Sequence, residues 1–283
     1  MLGAVGRWQR GWWYRARDER LGYVVRVKTL SDEAAHDAGA RARFISEARL
    51  SAALNHPNVI TIYEFGESQG VPYMVFESLD GASLRQCMDA GISLERGLSV
   101  LLQSLEGLAA VHRCGIVLRD ITPESIFVCR DGRVKLMDFW LAAIVPVGDR
   151  ARPGSQAGLL FGQLSQLSPE LVLTSPFDHR SDLFSLGCLL YEVVAGHKPF
   201  SGDTPIDLVH QIVDAEPSMQ AIPSGPEWRR LRAVISRSLE KKAEDRYQDA
   251  KAMQEDLRAA SSDLGAHASW LPPRAEDTRR PME

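Results

Sequence analysis

The sequence is poor in cysteine and contains no metal-binding cysteine pattern. Among its 283 residues are 4 cysteines, and none of them forms a C-x-x-C pair: Cys87, Cys114, Cys129 and Cys188. Zinc sites and disulfide frameworks bring cysteines at short, regular spacings. We therefore interpret these residues as reduced structural thiols and expect a cytoplasmic protein without a zinc site.

Long hydrophobic runs are also absent. The longest apolar stretch, residues 183–195, is interrupted by Ser185, Gly187, Tyr191 and Glu192. A helix that spans a bilayer needs about 20 consecutive, mostly apolar residues. The N-terminal residues MLGAVGRWQR lack the apolar core of a signal peptide. The sequence predicts no membrane segment in this chain.

Neither sign of charge dominates. Lysine and arginine number 33 against 37 aspartates and glutamates, which gives a formal net charge of -4. Without a broad basic field, nucleic acid is not expected as a partner. The hydrophobic fraction of 45% and the charged fraction of 25% are typical of a globular protein. The length suits one large or two-lobed domain.

Residue patterns predict strands first and helices later. Strand-like runs and one helical face make up the first third of the chain, with strands at 12–14, 23–27, 59–65 and 71–76 and the helix at 40–54. Further helices are predicted at 94–113, 182–195, 204–215, 228–239 and 247–260, with two short strands at 125–128 and 134–137. Residues 141–168 are typical of a long functional loop, and 261–283 of a disordered tail.

Six short motifs, in order and at suitable spacing, resemble those of the protein kinases, and most closely the bacterial serine/threonine kinases. They are the V-A-I-K-like Val25–Lys28, the H-R-D-like Leu118–Asp120, the D-F-G-like Asp138–Trp140, the A-P-E-like Ser168–Glu170, the anchoring segment Asp178–Gly187, and Arg246 as the partner of Glu170. The resemblance implies an α+β, bilobal protein-kinase fold. It implies a β-rich N-lobe with one main helix over residues 1–78 and a mostly helical C-lobe over 79–260.

Phosphoryl transfer requires held phosphates, magnesium and a carboxylate that orients the attacking hydroxyl. By resemblance, Lys28 holds the phosphates and pairs with Glu47, Asp120 accepts the hydroxyl proton, and Asp138 binds magnesium. The implied sites are catalytic at Asp120, Lys28 and Glu47, cofactor-binding at Gly6, Gly11, Lys28, Glu77 and Leu79, and metal-binding at Asp138 and Ser125.

The sequence departs from the family pattern where the nucleotide binds. The second glycine of the glycine-rich loop is Trp8, whose side chain opposes a close backbone approach to phosphate. Trp13 replaces the roof valine, Arg26 replaces the alanine of V-A-I-K, and Phe127 replaces the floor leucine. An aromatic ring and a guanidinium can stack on each other, so we expect the pocket to be filled from within.

The catalytic loop is altered as well. Thr122 stands in place of a lysine, Ser125 in place of a metal-binding asparagine, and Trp140 in place of the D-F-G glycine. Gln163 replaces the threonine that bonds the catalytic aspartate in the family. Loss of several electrostatic groups would lower the rate about 10³-fold or more.

Three hypotheses follow. The first is a pseudokinase with impaired ATP binding and phosphoryl transfer, which acts in signalling by protein binding or allosteric control. The second is an active serine/threonine kinase with an atypical pocket, and the third is a nucleotide-binding switch without catalysis. ATP and Mg²⁺ are the expected cofactors if the pocket is open, and otherwise none. A protein is the expected partner or substrate, and the oligomeric state is left open.

Overall fold

The computed structural model describes residues 3–8, 10–146, 148–151 and 164–265. Its N-terminal part is a five-stranded antiparallel sheet in the order β1-β2-β3-β5-β4. The strands are β1 (Gly3–Trp8), β2 (Gly11–Arg17), β3 (Val24–Leu30), β4 (Ile62–Ser68) and β5 (Val71–Glu77). Two helices, α1 (Asp32–His36) and α2 (Ala38–Ala52), connect β3 to β4.

The sheet directs alternate side chains to opposite faces. Trp13, Lys28 and Met74 are cross-strand partners on β2, β3 and β5, so their side chains share one face of the sheet. Helix α2 begins at its cap Asp37, whose carboxylate accepts a 2.7 Å hydrogen bond from the Ala40 N–H. The helix buries Phe44 in the core.

The C-terminal part is mostly helical. Its helices are α3 (Leu84–Asp89), α4 (Leu94–Arg113), α5 (Pro169–Val172), α6 (Arg180–Ala195), α7 (Pro205–Asp214), α8 (Arg229–Ser238) and α9 (Ala250–Leu264). Its short strands are β6 (Gly81–Ser83), β7 (Ile116–Val117), β8 (Ile126–Cys129), β9 (Val134–Leu136) and β10 (Ala143–Ile144). The expected α+β fold, with an N-terminal sheet and a helical C-terminal part, is confirmed.

Helix α6 is surrounded by protein along nearly its whole length. Its burial explains the apolar run at 183–195, because no side of this helix faces water. No helix of the described residues is long and apolar enough to cross a membrane.

Most predicted helices are present with ends within about two residues of the prediction, but the last one is displaced. It runs over Ala250–Leu264, so residues 261–264 are helical, contrary to the predicted tail. The reason is packing, because Leu257, Ala260 and Leu264 continue one buried face beyond residue 260. Residues 266–283 lie outside the described residues, and so does Gln163. The boundary between residues 78 and 79 stays a prediction.

Candidate functional site

The catalytic-loop segment is held by a buried carboxylate on α6. Asp182 is fully buried and accepts hydrogen bonds from the backbone N–H groups of Leu118 at 2.9 Å and Arg119 at 2.8 Å. The Nε2 atom of His112 lies 2.9 Å from the same carboxylate. Arg119 adopts a left-handed backbone with φ of 66°. Such strain in a residue other than glycine persists only where its surroundings enforce it, so Asp182 fixes the conformation of this loop.

Asp120 follows at once in this loop. Burial raises the pKa of its carboxyl group to about 7, and the negative charges of Asp138 and Glu124 add to the effect. A carboxyl group with this pKa exchanges its proton near neutral pH, as a general base must. The residue therefore keeps the property that its predicted role requires.

Ser125 closes the loop on itself. Its Oγ accepts a 3.0 Å hydrogen bond from the Thr122 N–H and donates one of 3.0 Å to the Thr122 carbonyl oxygen. A hydroxyl has one proton to donate, so that proton is already used, and the group is buried. Over the described ranges there is no group of three or more His, Cys, Asp or Glu side chains that could hold a metal ion.

Lys28 lies in a buried cluster of charges. Its Nζ is 2.7 Å from Oε1 of Glu47 and 3.3 Å from Oδ1 of Asp138. Lys28 is 1% exposed, whereas half of the Asp138 side chain is accessible. Burial opposes the ammonium charge, but Asp138 and Glu47 outweigh it and raise the pKa of Lys28. The structure thus brings three of the predicted site residues together.

Two tryptophan rings cover this ammonium group. The Lys28 Nζ lies 4.3 Å from the ring centroid of Trp8 and 5.6 Å from that of Trp13. The indole N–H of Trp8 donates a 3.0 Å hydrogen bond to the Thr29 carbonyl oxygen, and its ring meets Trp140 edge-on at 5.0 Å. Three of the residues that depart from the family pattern therefore assemble around the lysine.

Arg26 reaches from β3 to the segment that links the two parts of the chain, residues 77–79, which we call the hinge. Its Nη2 donates a 3.0 Å hydrogen bond to the Leu79 carbonyl oxygen, and its guanidinium lies 5.1 Å from the ring centroid of Phe127. The expected contact between an aromatic ring and the Arg26 guanidinium is present. Leu79, a predicted nucleotide contact, has its carbonyl oxygen bonded by the protein itself.

The Glu77 side chain is engaged on the same hinge. Its Oε1 lies 2.7 Å from Nζ of Lys135 and accepts a 2.8 Å hydrogen bond from the Thr61 N–H. Lys135 also donates to the Val59 carbonyl oxygen at 3.1 Å. These bonds join the hinge to β9 and to the segment before β4, and so they stabilise the junction between the two parts.

The predicted A-P-E glutamate pairs with the predicted arginine. Glu170 accepts two 2.8 Å hydrogen bonds from Arg246, one to each carboxylate oxygen, and one of 2.6 Å from the Ser181 hydroxyl. Burial opposes ionisation of Glu170, but the bonds from Arg246 outweigh it and lower its pKa. Arg246 is fully buried, so this pair is part of the core.

Comparison with known proteins agrees with this geometry. The protein-family model described as "Protein kinase domain" matches residues 1–264 of this chain. The chain belongs to the protein kinase family. It is 38% identical over 252 residues to probable serine/threonine-protein kinase SCO3848 of Streptomyces coelicolor, covering 87% of this chain and 37% of that protein.

Two mycobacterial kinases are similarly related to this kinase-family chain. Serine/threonine-protein kinase PknB of Mycolicibacterium smegmatis is 36% identical over 248 residues, or 86% of this chain and 39% of PknB. PknL of Mycobacterium tuberculosis is 37% identical over 261 residues, or 89% of this chain and 62% of PknL. The chain therefore spans between about a third and two thirds of the length of these relatives.

The two predicted loop glycines of this kinase domain differ in their surroundings. A Cβ on Gly11 would lie 1.9 Å from the Thr29 carbonyl oxygen, so glycine is required for the approach of β2 to β3. Gly6 is exposed, and a Cβ there would meet no atom within 4 Å. Packing of the sheet explains Gly11 without a ligand, and the nucleotide-binding role of both glycines stays a prediction.

Sequence reasoning missed one charged cluster beside the catalytic loop. Arg85 at the start of α3 lies 2.8 Å from the buried Glu192 of α6 and 3.3 Å from Glu124 of the loop. Glu192 falls within an apolar helical run, and a carboxylate there needs a partner. The position of Glu192 in an apolar run therefore indicated that a cationic partner exists, but the sequence did not identify Arg85 as that partner.

Proposed function

We propose that this kinase-family domain is a pseudokinase, which acts in signalling by protein binding or allosteric control and is impaired in ATP binding and phosphoryl transfer. The hydrogen bond from Arg26 to the Leu79 carbonyl oxygen carries the proposal. It occupies an acceptor on the hinge with a side chain of the protein. We also propose a cytoplasmic location and a protein partner.

Two contacts of the protein's own side chains compete with ATP in the cleft. At the hinge, a ligand would have to compete with a charged hydrogen bond from Arg26, which contributes about 1.5–3 kcal/mol. At the other end, phosphates would have to displace the Trp8 ring from Lys28, a cation–π contact of about 0.5–2 kcal/mol. The two contacts together oppose nucleotide binding.

Magnesium fits poorly as well. Asp138 keeps a half-exposed carboxylate, but it is paired with Lys28. The Ser125 hydroxyl oxygen already accepts a hydrogen bond from the Thr122 N–H, which occupies one of its two lone pairs. Thr122 supplies no positive charge beside the catalytic aspartate. We therefore derive no reaction step through a metal–nucleotide complex.

Three observations favour an active kinase as the second candidate. The Lys28–Glu47 pair is intact at 2.7 Å, and Asp120 stands on an anchored loop with a pKa of about 7. The relatives are also named as serine/threonine kinases. Under this alternative, Trp8 and Arg26 would move aside when nucleotide enters.

A thermal-melt titration with ATP or ADP, each with Mg²⁺, Mn²⁺ or EDTA, separates the candidates. A ligand at 100 times its Kd stabilises the folded state by about 2.7 kcal/mol, which visibly raises the Tm. No rise with any combination is the result that the pseudokinase predicts. Phosphate transfer that is lost in Asp120→Ala would establish the active enzyme instead. A rise without transfer would indicate the nucleotide-binding switch.

A further inference from the structure

Two arginines face each other across β2 and β3 at the hinge end of the cleft. Arg15 and Arg26 are direct cross-strand partners, so their side chains leave the same face of the sheet. That is also the face of Lys28, two residues further along β3. Like charges at directly opposed positions destabilise a sheet. An anion between the two groups would relieve this repulsion.

Neither guanidinium has a carboxylate partner within the described part of the chain. Arg26 contacts only a carbonyl oxygen and an aromatic ring, those of Leu79 and Phe127. Arg15 is exposed. Burial lowers the pKa of Arg26; Cys129 opposes this effect, and the charge of Arg15 makes a smaller contribution in the same direction as burial. Burial and the charge of Arg15 mark a cation that lacks compensation.

The carboxylates of the hinge and of the residue that follows it are paired with other cations. Glu77 is paired with Lys135 at 2.7 Å, and Asp80 with Arg130 at 3.1 Å. The largely buried Glu77–Lys135 pair is the stronger of the two, because the Asp80–Arg130 pair is exposed to water. In the described part of the chain, no carboxylate is paired with Arg15 or Arg26, so both guanidinium groups are available to an anion.

We propose that Arg15 and Arg26 form a binding site for a dianionic oxyanion, a phosphate monoester or a dicarboxylate, at the hinge end of the cleft. Guanidinium N–H groups match the geometry of carboxylate and phosphate oxygens and bind them through paired hydrogen bonds. Partial burial of Arg26 strengthens such bonds, because the local dielectric constant is low. The site differs from that of ATP in the kinases, where phosphates are held by the residue that corresponds to Lys28.

This inference does not depend on the pseudokinase proposal, since Arg15 and Arg26 face each other whether or not nucleotide enters. The probes are inorganic phosphate and malonate, titrated at constant ionic strength with sodium chloride, with Tm and calorimetric heat as readouts. The variants are Arg26→Ala and the exposed Arg15→Gln. Arg7→Gln is the matched control, because Arg7 stacks on Trp12 on the opposite face of the sheet.

We expect saturable stabilisation of the wild-type protein and of Arg7→Gln by at least one probe. The apparent affinity should fall about tenfold in Arg15→Gln and should be lost in Arg26→Ala, since each variant removes one charged partner of the anion. If Arg26→Ala does not fold, Arg15→Gln carries the test. A response that is equal in all variants, or that never saturates, would overturn the proposal. If ATP with Mg²⁺ raises the Tm of the wild-type protein and of Arg15→Gln alike, the result contradicts the pseudokinase proposal instead.

Discussion

The guanidinium of Arg26 and the carbonyl oxygen of Leu79 are joined by a 3.0 Å hydrogen bond between β3 and the hinge. One side chain thus links the sheet to the segment that leads into the helical part. The contact of the same guanidinium with Phe127, at 5.1 Å, extends this link to β8. Arg26 therefore bridges both walls of the cleft, and its removal is the most direct way to open it.

Opening the cleft should restore nucleotide binding. We expect the double variant Trp8→Gly, Arg26→Ala to show a rise in Tm with ATP and Mg²⁺ that the wild-type protein lacks, because both occluding side chains are gone. A control with Trp12→Gly and Arg7→Ala changes the same residue types on the opposite face and should behave as wild type. Equal responses of the two double variants would show that occlusion is not the cause.

Lys28 should be required for stability even without nucleotide. Lys28→Met leaves the buried Glu47 without its cationic partner, which we expect to lower the free energy of unfolding by about 3–5 kcal/mol. Replacing both as Lys28→Met, Glu47→Leu should recover much of the loss, because no buried charge remains. Urea unfolding measures the free energy of unfolding of both variants. The control is Lys251→Met, which breaks an exposed ion pair and should cost about 0.5 kcal/mol or less. An unchanged free energy of unfolding in Lys28→Met would refute this role.

The Glu170–Arg246 pair should be worth far more than a surface pair. Arg246→Ala removes the buried partner of Glu170, whose side chain is only 14% exposed, and we expect it to cost about 3 kcal/mol of unfolding free energy. Arg230→Ala breaks the half-exposed pair with Asp263 and should cost about 1 kcal/mol or less. Chemical denaturation of both variants tests the contrast. Similar losses would mean that burial does not set the value of the pair.

Asp120 should make stability depend on pH. Its pKa is raised by burial from 3.8 to about 7, so the folded protein holds this proton more tightly than the unfolded chain does. The contribution of Asp120 to stability therefore falls as pH rises from about 4 to 7. We expect Asp120→Asn to have a higher Tm than wild type at about pH 8 and the same Tm at about pH 4. The exposed Asp203→Asn serves as the control, and a pH-independent difference would contradict the mechanism.

The sequence predicted the elements that carry strong periodicity. The helix at 94–113 was predicted with the bounds that α4 has, and the Glu170–Arg246 pair was predicted from motif positions alone. Strand β1 was not predicted, since Gly3–Trp8 has few β-branched residues and is nearly all exposed. Its stability comes from pairing with β2, a long-range term that local patterns do not contain.

Within the candidate site, the sequence indicated which residues depart from the family pattern, but not which atoms those residues contact. The substitutions at Trp8 and Arg26 indicated an altered pocket. A contact between the Arg26 guanidinium and an aromatic ring was expected, and the structure identifies the ring as that of Phe127. The bonds of Arg26 to Leu79 and of Trp8 to Thr29 depend on side-chain conformation, which no sequence pattern specifies. Arg15 and Arg26 lie opposite each other because of the register between β2 and β3. That register is set when the whole sheet assembles.

The buried Lys28–Glu47 pair also has a consequence for how such a protein can change over generations. Losing either residue alone leaves an uncompensated charge at a cost of about 3–5 kcal/mol, out of a total stability of about 5–15 kcal/mol. Only a double replacement avoids that barrier, and it requires two rare events together. A lineage that gave up phosphoryl transfer would therefore retain both residues for the sake of folding. Folding stability is therefore sufficient to explain the presence of Lys28 and Glu47, and the pair does not by itself indicate phosphoryl transfer.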